Sequence, residues 1–345
     1  MKNLQSLIRP NILALRPYSS ARNEFHGDAL ALLDANENPH NPPYNRYPDP
    51  AHLRLKNRIA QIKDIAPEHI FLGNGSDEAI DLVIRAFCEP RLDNIVAIAP
   101  TYGMYEVAAG VNNVEYVKAP LRENFSLDAA ALLDAVTKRT KVVFLCTPNN
   151  PTGNLLEREE IYCVLKHFGG IVVVDEAYID FSASPSLTRQ LLSHPNLIVL
   201  QTMSKAWGAA GIRLGIAFAS EAIIGVLNKI KHPYNLSRLA QDEALRILSR
   251  EEFMQEKLAL ILSERSRLED ALAKFAFVRR VYPSDANFIL VKVDDANATY
   301  NHLANRGVIV RNRSGIPMCE NCIRITVGSP KENDALLKAL SEVRS

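Results

Sequence analysis

Leu200–Gly215, LQTMSKAWGAAGIRLG, carries an apolar run into Thr202, Ser204 and Lys205, then reaches Arg213 through small residues. A lysine closing a buried strand is either a solvated cation or an amine tuned by its surroundings to attack a carbonyl. The other strand ends of the chain supply the context that separates the two.

Short Val-, Ile- and Leu-rich runs recur before this stretch and just after it: HIFLG (69–73), NIVAIAP (94–100), KVVFLCTP (141–148), GIVVVDEAY (170–178) and RLGIAFAS (213–220). They are continuous rather than alternating, and helical stretches separate several of them, so they read as strands buried on both faces of a mostly parallel sheet flanked by helices. From Ser237 the pattern turns into a long charged helical stretch, Arg238–Phe275, followed by NFILVKV (287–293), a short helix near 299–307, VIVRNRSG (308–315), CIRITVG (322–328) and a closing helix. The expected organisation is an N-terminal arm over 1–35 packing with the small domain, a large α/β domain over 36–235, and a small α+β domain over 236–345. Pro233 marks the second boundary.

Composition bounds the function. The chain has 345 residues, 40 Lys+Arg against 39 Asp+Glu, and 47% hydrophobic residues. A net charge of +1 without a dense basic run points away from nucleic acid. No apolar run approaches the roughly 18 residues of a membrane span. The segment 1–23 carries Arg9, Arg16 and Arg22 without an acid, but Pro10 and Pro17 break any amphipathic helix, so it reads as an arm rather than a transit peptide. The five cysteines, an odd number, suggest reduced thiols and a cytoplasmic setting. CENC (319–322) has the spacing of a metal knuckle but lacks companion ligands, so no metal is expected.

In open parallel sheets, ligands bind beyond the carboxyl ends of the strands. The first such end carries Gly73, Gly75, Ser76 and Asp77 and opens a helix, which suits an anion, although the pattern is no dinucleotide fingerprint because Glu78 stands where a third glycine would be. The second carries Asn149 and Asn150, and the third runs straight into Asp175, with Tyr178 three residues on. A carboxylate at the mouth of a buried strand must meet a cation or a donor, or be neutral. Lys205 and Arg213 follow, and the four ends together make a functional cleft.

In that order and spacing, NNPTG, DEAY and SKAWGAAGIRLG resemble the pyridoxal-phosphate enzymes of fold type I. LRPYSSAR, LDANENP, NRYPDP, IRAFCEP, PTYGMY and IRITVG resemble the histidinol-phosphate aminotransferase family within it, over nearly the whole chain. The resemblance implies transfer of an amino group from L-histidinol phosphate to 2-oxoglutarate, giving imidazole acetol phosphate and L-glutamate in histidine biosynthesis, by a ping-pong mechanism. It implies pyridoxal 5'-phosphate held by Lys205 as a Schiff base, with Asp175 at the ring nitrogen, Asn150 and Tyr178 at the ring oxygen, and Tyr102 on the ring face. Gly75, Ser76, Asp77, Thr202, Ser204 and Arg213 would hold the phosphate, together with Tyr47 from the partner subunit of a homodimer. Tyr18, Asn36, Arg311 and Arg324 would bind substrate, the arginines because a guanidinium fork accepts phosphate and carboxylate alike.

Aromatic amino-acid transamination and threonine-phosphate decarboxylation share these cofactor residues and differ only in the substrate pocket. A transcription regulator on the same scaffold would need a DNA-binding module, and fewer than 35 residues precede Asp34. The loop 314–322 has no counterpart in the resemblance and lies toward the substrate end.

Overall fold

The apolar runs become strands because each has two faces to bury. A computed structural model describes residues 4–18 and 29–343. Its larger sheet has seven strands: β1 (Ile70–Asn74), β2 (Asn94–Ala99), β3 (Glu115–Pro120), β4 (Thr140–Cys146), β5 (Ile171–Asp175), β6 (Leu197–Thr202) and β7 (Leu214–Ala219), in the order β1-β7-β6-β5-β4-β2-β3. Strands β2 to β6 pair in parallel, whereas β7 is antiparallel to both β6 and β1. Along β4, Val143 and Leu145 enter one core while Val142, Phe144 and Cys146 enter the other. Strand β5 divides in the same way, Val172 and Val174 against Ile171 and Val173. Helices cover both layers, which is why the runs are apolar at every position.

Strand β3 has no such run. It forms the sheet edge, is mostly exposed or half-buried, and carries Glu115 and Lys118. An edge strand with charged side chains resists pairing with other chains, and it escapes a search for apolar continuity.

The small sheet is antiparallel, in the order β10-β11-β9-β8, from β8 (Val278–Val281), β9 (Phe288–Val293), β10 (Arg311–Asn312) and β11 (Cys322–Thr326). Helices Glu251–Leu272, Ala296–Ala304 and Pro330–Ser341 pack on it. The last begins with a capping box in which Ser329 and Glu332 satisfy each other's backbone N–H groups. The expected strand over 308–315 is reduced to Arg311–Asn312. No helix among the described residues is long and apolar enough to cross a membrane.

Two further segments pack on the large sheet. Leu236, Ala244 and Leu248 belong to the large-sheet core, and helix Arg238–Leu248 lies against helix Leu53–Lys63. The helix just after the boundary expected at 235 thus packs on the large sheet, and Tyr282, Leu290, Cys319 and Cys322 further along the chain join the same core. Pro233 interrupts the sequence pattern, but burial is decided by contacts far along the chain. The described start of the arm also packs on the large domain, not on the small one. Leu7 is buried in the core that contains helix Ser76–Phe87, with Leu4, Ile8 and Ile12 against it. Arg9 donates to Glu89 Oε2 at 3.0 Å and to Arg85 O at 3.0 Å, and Lys229 Nζ donates to Leu13 O at 2.8 Å. Of the motif 15–22, residues 19–22 lie outside the described residues.

If this docking stabilises the large domain, Leu7→Ala should lower the unfolding free energy by about 2 kcal/mol or more, as a buried leucine truncation does. Urea denaturation of the two proteins measures it, and an unchanged midpoint would show the arm to be a passive attachment.

Candidate active site

The cleft lies where the carboxyl ends of the parallel strands meet the beginning of β7. Because β7 runs backwards, Arg213, immediately before it, stands at the same edge as Lys205, three residues beyond β6. Tyr102 follows β2, Asn150 follows β4, and Asp175 and Tyr178 end and follow β5; Gly75, Ser76 and Asp77 follow β1. All of these, with Thr202 and Ser204, line one cleft.

One corner of it is shaped for an anion. Helix Ser76–Phe87 starts after Gly75, which has φ +73° and provides no side-chain cap, so the first-turn N–H groups point outward unpaired with a cap. A Cβ on Gly75 would come within 2.7 Å of Arg213 Nη2, and one on Gly215 within 2.1 Å of Ser76 N. Glycine at both places lets β7 and the helix start touch backbone to backbone, with Gly75 N donating to Arg213 O at 2.8 Å. Thr202 Oγ1 donates to Ser204 Oγ at 3.0 Å, which brings two hydroxyls to the same corner. The Asp77 carboxylate accepts from Tyr102 Oη at 3.1 Å and lies 3.5 Å from Arg213 Nη2. It therefore positions a cation and an aromatic ring, and only its backbone N–H faces the anion corner favourably.

The opposite side is acidic and dry. Asp175 is 2% exposed. Its Oδ2 accepts from Tyr105 Oη at 2.8 Å and its Oδ1 from Ala177 N at 3.1 Å. No Lys or Arg among the described residues forms an ion pair with it. Burial raises its pKa to about 6, and the Tyr105 hydrogen bond holds the rise back. A protonated ring nitrogen facing this carboxylate would supply the missing cation. Tyr105 is the residue that sequence reasoning missed; it is fully buried and stacks on Phe144 with centroids 4.7 Å apart. Its only signal was its place three residues after Tyr102 in PTYGMY.

Between these poles, Lys205 Nζ lies 5.4 Å from the Tyr178 ring centroid. Burial lowers its pKa, Arg324 lowers it further, and Asp175 opposes the fall. Asn150 joins the two domains: its Nδ2 donates to Tyr178 Oη at 3.3 Å, and its Oδ1 accepts from Arg324 Nη1 at 2.6 Å. Arg324 also lies 5.2 Å over the Phe288 ring and pairs directly with the exposed Arg311 across β10 and β11.

Five expected residues stay outside the lining of this cleft: Arg311, Arg324, which reaches it through its bond to Asn150, Tyr18, Asn36 and Tyr47. Tyr18 is 70% exposed. Asn36 and Tyr47 line a separate open groove, in which Tyr47 stacks on Tyr234 with centroids 4.4 Å apart. Cys319 and Cys322 are buried free thiols, and no group of three or more His, Cys, Asp or Glu among the described residues is placed to hold a metal.

A lysine of lowered pKa, an unpaired buried acid and an uncapped helix start in one cleft define an amine-handling enzyme with a phosphorylated ring cofactor. Residues 21–340 match Aminotransferase class I and II, and the chain belongs to that family. The relatives are narrower in name. A histidinol-phosphate aminotransferase of Parabacteroides distasonis is 62% identical over 344 residues, covering 100% of both chains. The crystal structure of histidinol-phosphate aminotransferase from Clostridium acetobutylicum matches with a TM-score of 0.80 at 27% identity, covering 86% of this chain and 90% of that one. The one from Sinorhizobium meliloti, in complex with pyridoxal-5'-phosphate, matches with a TM-score of 0.80 at 26% identity, covering 86% and 82%.

The raised Asp175 pKa has a stability consequence in the cofactor-free protein. Between pH 3.8 and about 6 the native state holds a proton that the unfolded chain has lost. Stability should therefore fall as pH rises through that window, by up to about 3 kcal/mol, and stay level above it. Asp175→Asn should remove the slope, leaving the variant more stable than wild type at pH 8 and no different near pH 4. Urea titrations at the two pH values decide it; a wild type that gains on the variant as pH rises contradicts the burial argument.

Proposed function

We propose that this chain transfers the amino group of L-histidinol phosphate to 2-oxoglutarate, yielding imidazole acetol phosphate and L-glutamate in histidine biosynthesis, with pyridoxal 5'-phosphate as cofactor. The observation that carries the reading is the single cleft holding Lys205, Asp175 and the Gly75–Asp77 helix start, in a chain 62% identical to a histidinol-phosphate aminotransferase. Pyridoxal phosphate, when bound, supplies an aldehyde that condenses with amines and a cationic ring that accepts electrons.

The residues do the rest. The N–H groups at the start of helix Ser76–Phe87, the hydroxyls of Thr202 and Ser204 and the Arg213 guanidinium hold the phosphate. Asp175, kept in place by Tyr105, would face the ring nitrogen, whose cation would keep the carboxylate ionised. Asn150 and Tyr178 would offer N–H and O–H donors to the ring oxygen, and Tyr102 would lie on the ring face. Lys205, whose pKa burial lowers, would carry a proton to and from the reacting carbon on Nζ. Arg324 and Arg311 bind the anionic end of each substrate in turn, so donor and acceptor use one site alternately. Asn36 and Tyr18 would complete that end.

The working unit is a two-fold dimer in which Tyr47 reaches the phosphate of the neighbouring subunit. Its exclusion from its own cleft and the open groove around it, with exposed Tyr44 and Leu239, support this. A cytoplasmic setting is supported by five free thiols.

Wild type reconstituted with pyridoxal phosphate should absorb at the edge of the visible range, and Lys205→Ala should lose that band and more than about a thousandfold in turnover. Side-by-side rates with histidinol phosphate, phenylalanine and threonine phosphate test the substrate. A preference for phenylalanine, or failure to take up the cofactor, rejects the reading.

A further inference from the structure

Arg313 is a cation beside Arg311 and Arg324 that the functional reading leaves unused. It follows β10 and extends that ladder by one bond, its N–H donating to Cys322 O at 2.8 Å. Side chains two apart on a strand share a face, so Arg313 lies on the face that carries Arg311 and, directly across, Arg324. The charges of Arg324 and Arg311 act on it, as does the Tyr178 hydroxyl of the cleft.

No side chain among the described residues hydrogen-bonds or ion-pairs with this guanidinium. Arg313 is half-buried, its side chain makes no hydrogen bond among the described residues, and its Nε is buried without a partner. Arg324 Nε is likewise buried and unpartnered. No Asp or Glu stands among the main influences on either guanidinium, which are burial and the neighbouring arginines and Tyr178. The nearby thiols do not stand in for one, because burial pushes Cys319 up to about 12 and Cys322 up to about 11. Burial and the two like charges lower the Arg313 pKa to about 10, so it stays a cation at neutral pH, at a cost to folding.

We propose that Arg313 is a specificity-determining residue of the substrate's anion site, a third guanidinium that favours a dianionic phosphate monoester over a carboxylate. A phosphate ester brings three acceptor oxygens and close to two negative charges, enough for three forks, whereas a carboxylate brings two oxygens and one charge. Arg311 and Arg324 suffice for glutamate; the third cation serves histidinol phosphate. The inference rests on the reading of the reaction given above.

Kinetics of the holoenzyme separate this role from a structural one. Arg313→Gln should lower kcat/KM for histidinol phosphate about 10- to 100-fold, mainly through KM, the size of one lost charge-assisted contact, and leave that for glutamate within about threefold. Arg313→Lys should recover part of the loss. The melting temperature of Arg313→Gln should match or exceed that of wild type, since an unanswered half-buried charge is gone. Equal losses toward both substrates, or a lower melting temperature with no recovery by lysine, overturn the assignment. Inorganic phosphate titrated calorimetrically into the holoenzyme probes the same site without turnover, and Arg313→Gln should bind it about tenfold more weakly. If wild type prefers phenylalanine while phosphate binding still depends on Arg313, the reading of the reaction fails and this inference stands. If phosphate binds both proteins equally, this inference fails alone.

Discussion

The buried carboxylate of Asp175 is the constraint around which the cleft is arranged. A charge at the end of the central strand β5, almost without solvent, costs the folded state unless donors and a counter-charge meet it. Tyr105 and the Ala177 N–H supply two donors, one to each oxygen, and these set the carboxylate's orientation. They do not neutralise it. The remaining demand for a cation is what a protonated ring would satisfy, so the cost of burial becomes binding energy for the ring.

The second condition is the reversal of β7. Were it parallel to β6, Arg213 would lie at the far edge of the sheet. Running antiparallel, it sets Arg213 beside the start of helix Ser76–Phe87, and the contact of Gly215 with Gly75 and Ser76 closes the distance. The site is thus held by backbone packing, which leaves side chains such as Thr202, Ser204 and Arg213 available to an anion. Asn150 ties this half of the cleft to Arg324 of the small sheet, bonding Tyr178 with its amide N–H and Arg324 with its oxygen.

The fold was legible where burial on two faces forces apolar continuity, as in β4, β5 and β6. It was not legible in β3, an edge strand with charged positions, nor in the packing of helix Arg238–Leu248, which looks like the charged helix after it yet lies against the large sheet. That Asp175, Asn150, Tyr178, Lys205, Arg213 and the Gly75–Asp77 helix start share a cleft was readable, because they fall at strand ends in order. Tyr105 was not, since its partner lies 70 residues away, and a buried tyrosine looks like core until its hydroxyl finds an acid.

By itself the sequence determined the alternation of strands and helices, the residue types at the strand ends and the chemistry those types permit, because these depend on local periodicity and on the nature of each side chain. Only the tertiary structure decided which charges meet. It left Asp175 with donors but no cation, bound Arg324 to Asn150, kept Tyr47 out of its own cleft, and left Arg313 half-buried without an acid. Such pairings depend on distances between segments far apart in the chain, and charge energetics follow distance and burial, which no local pattern carries.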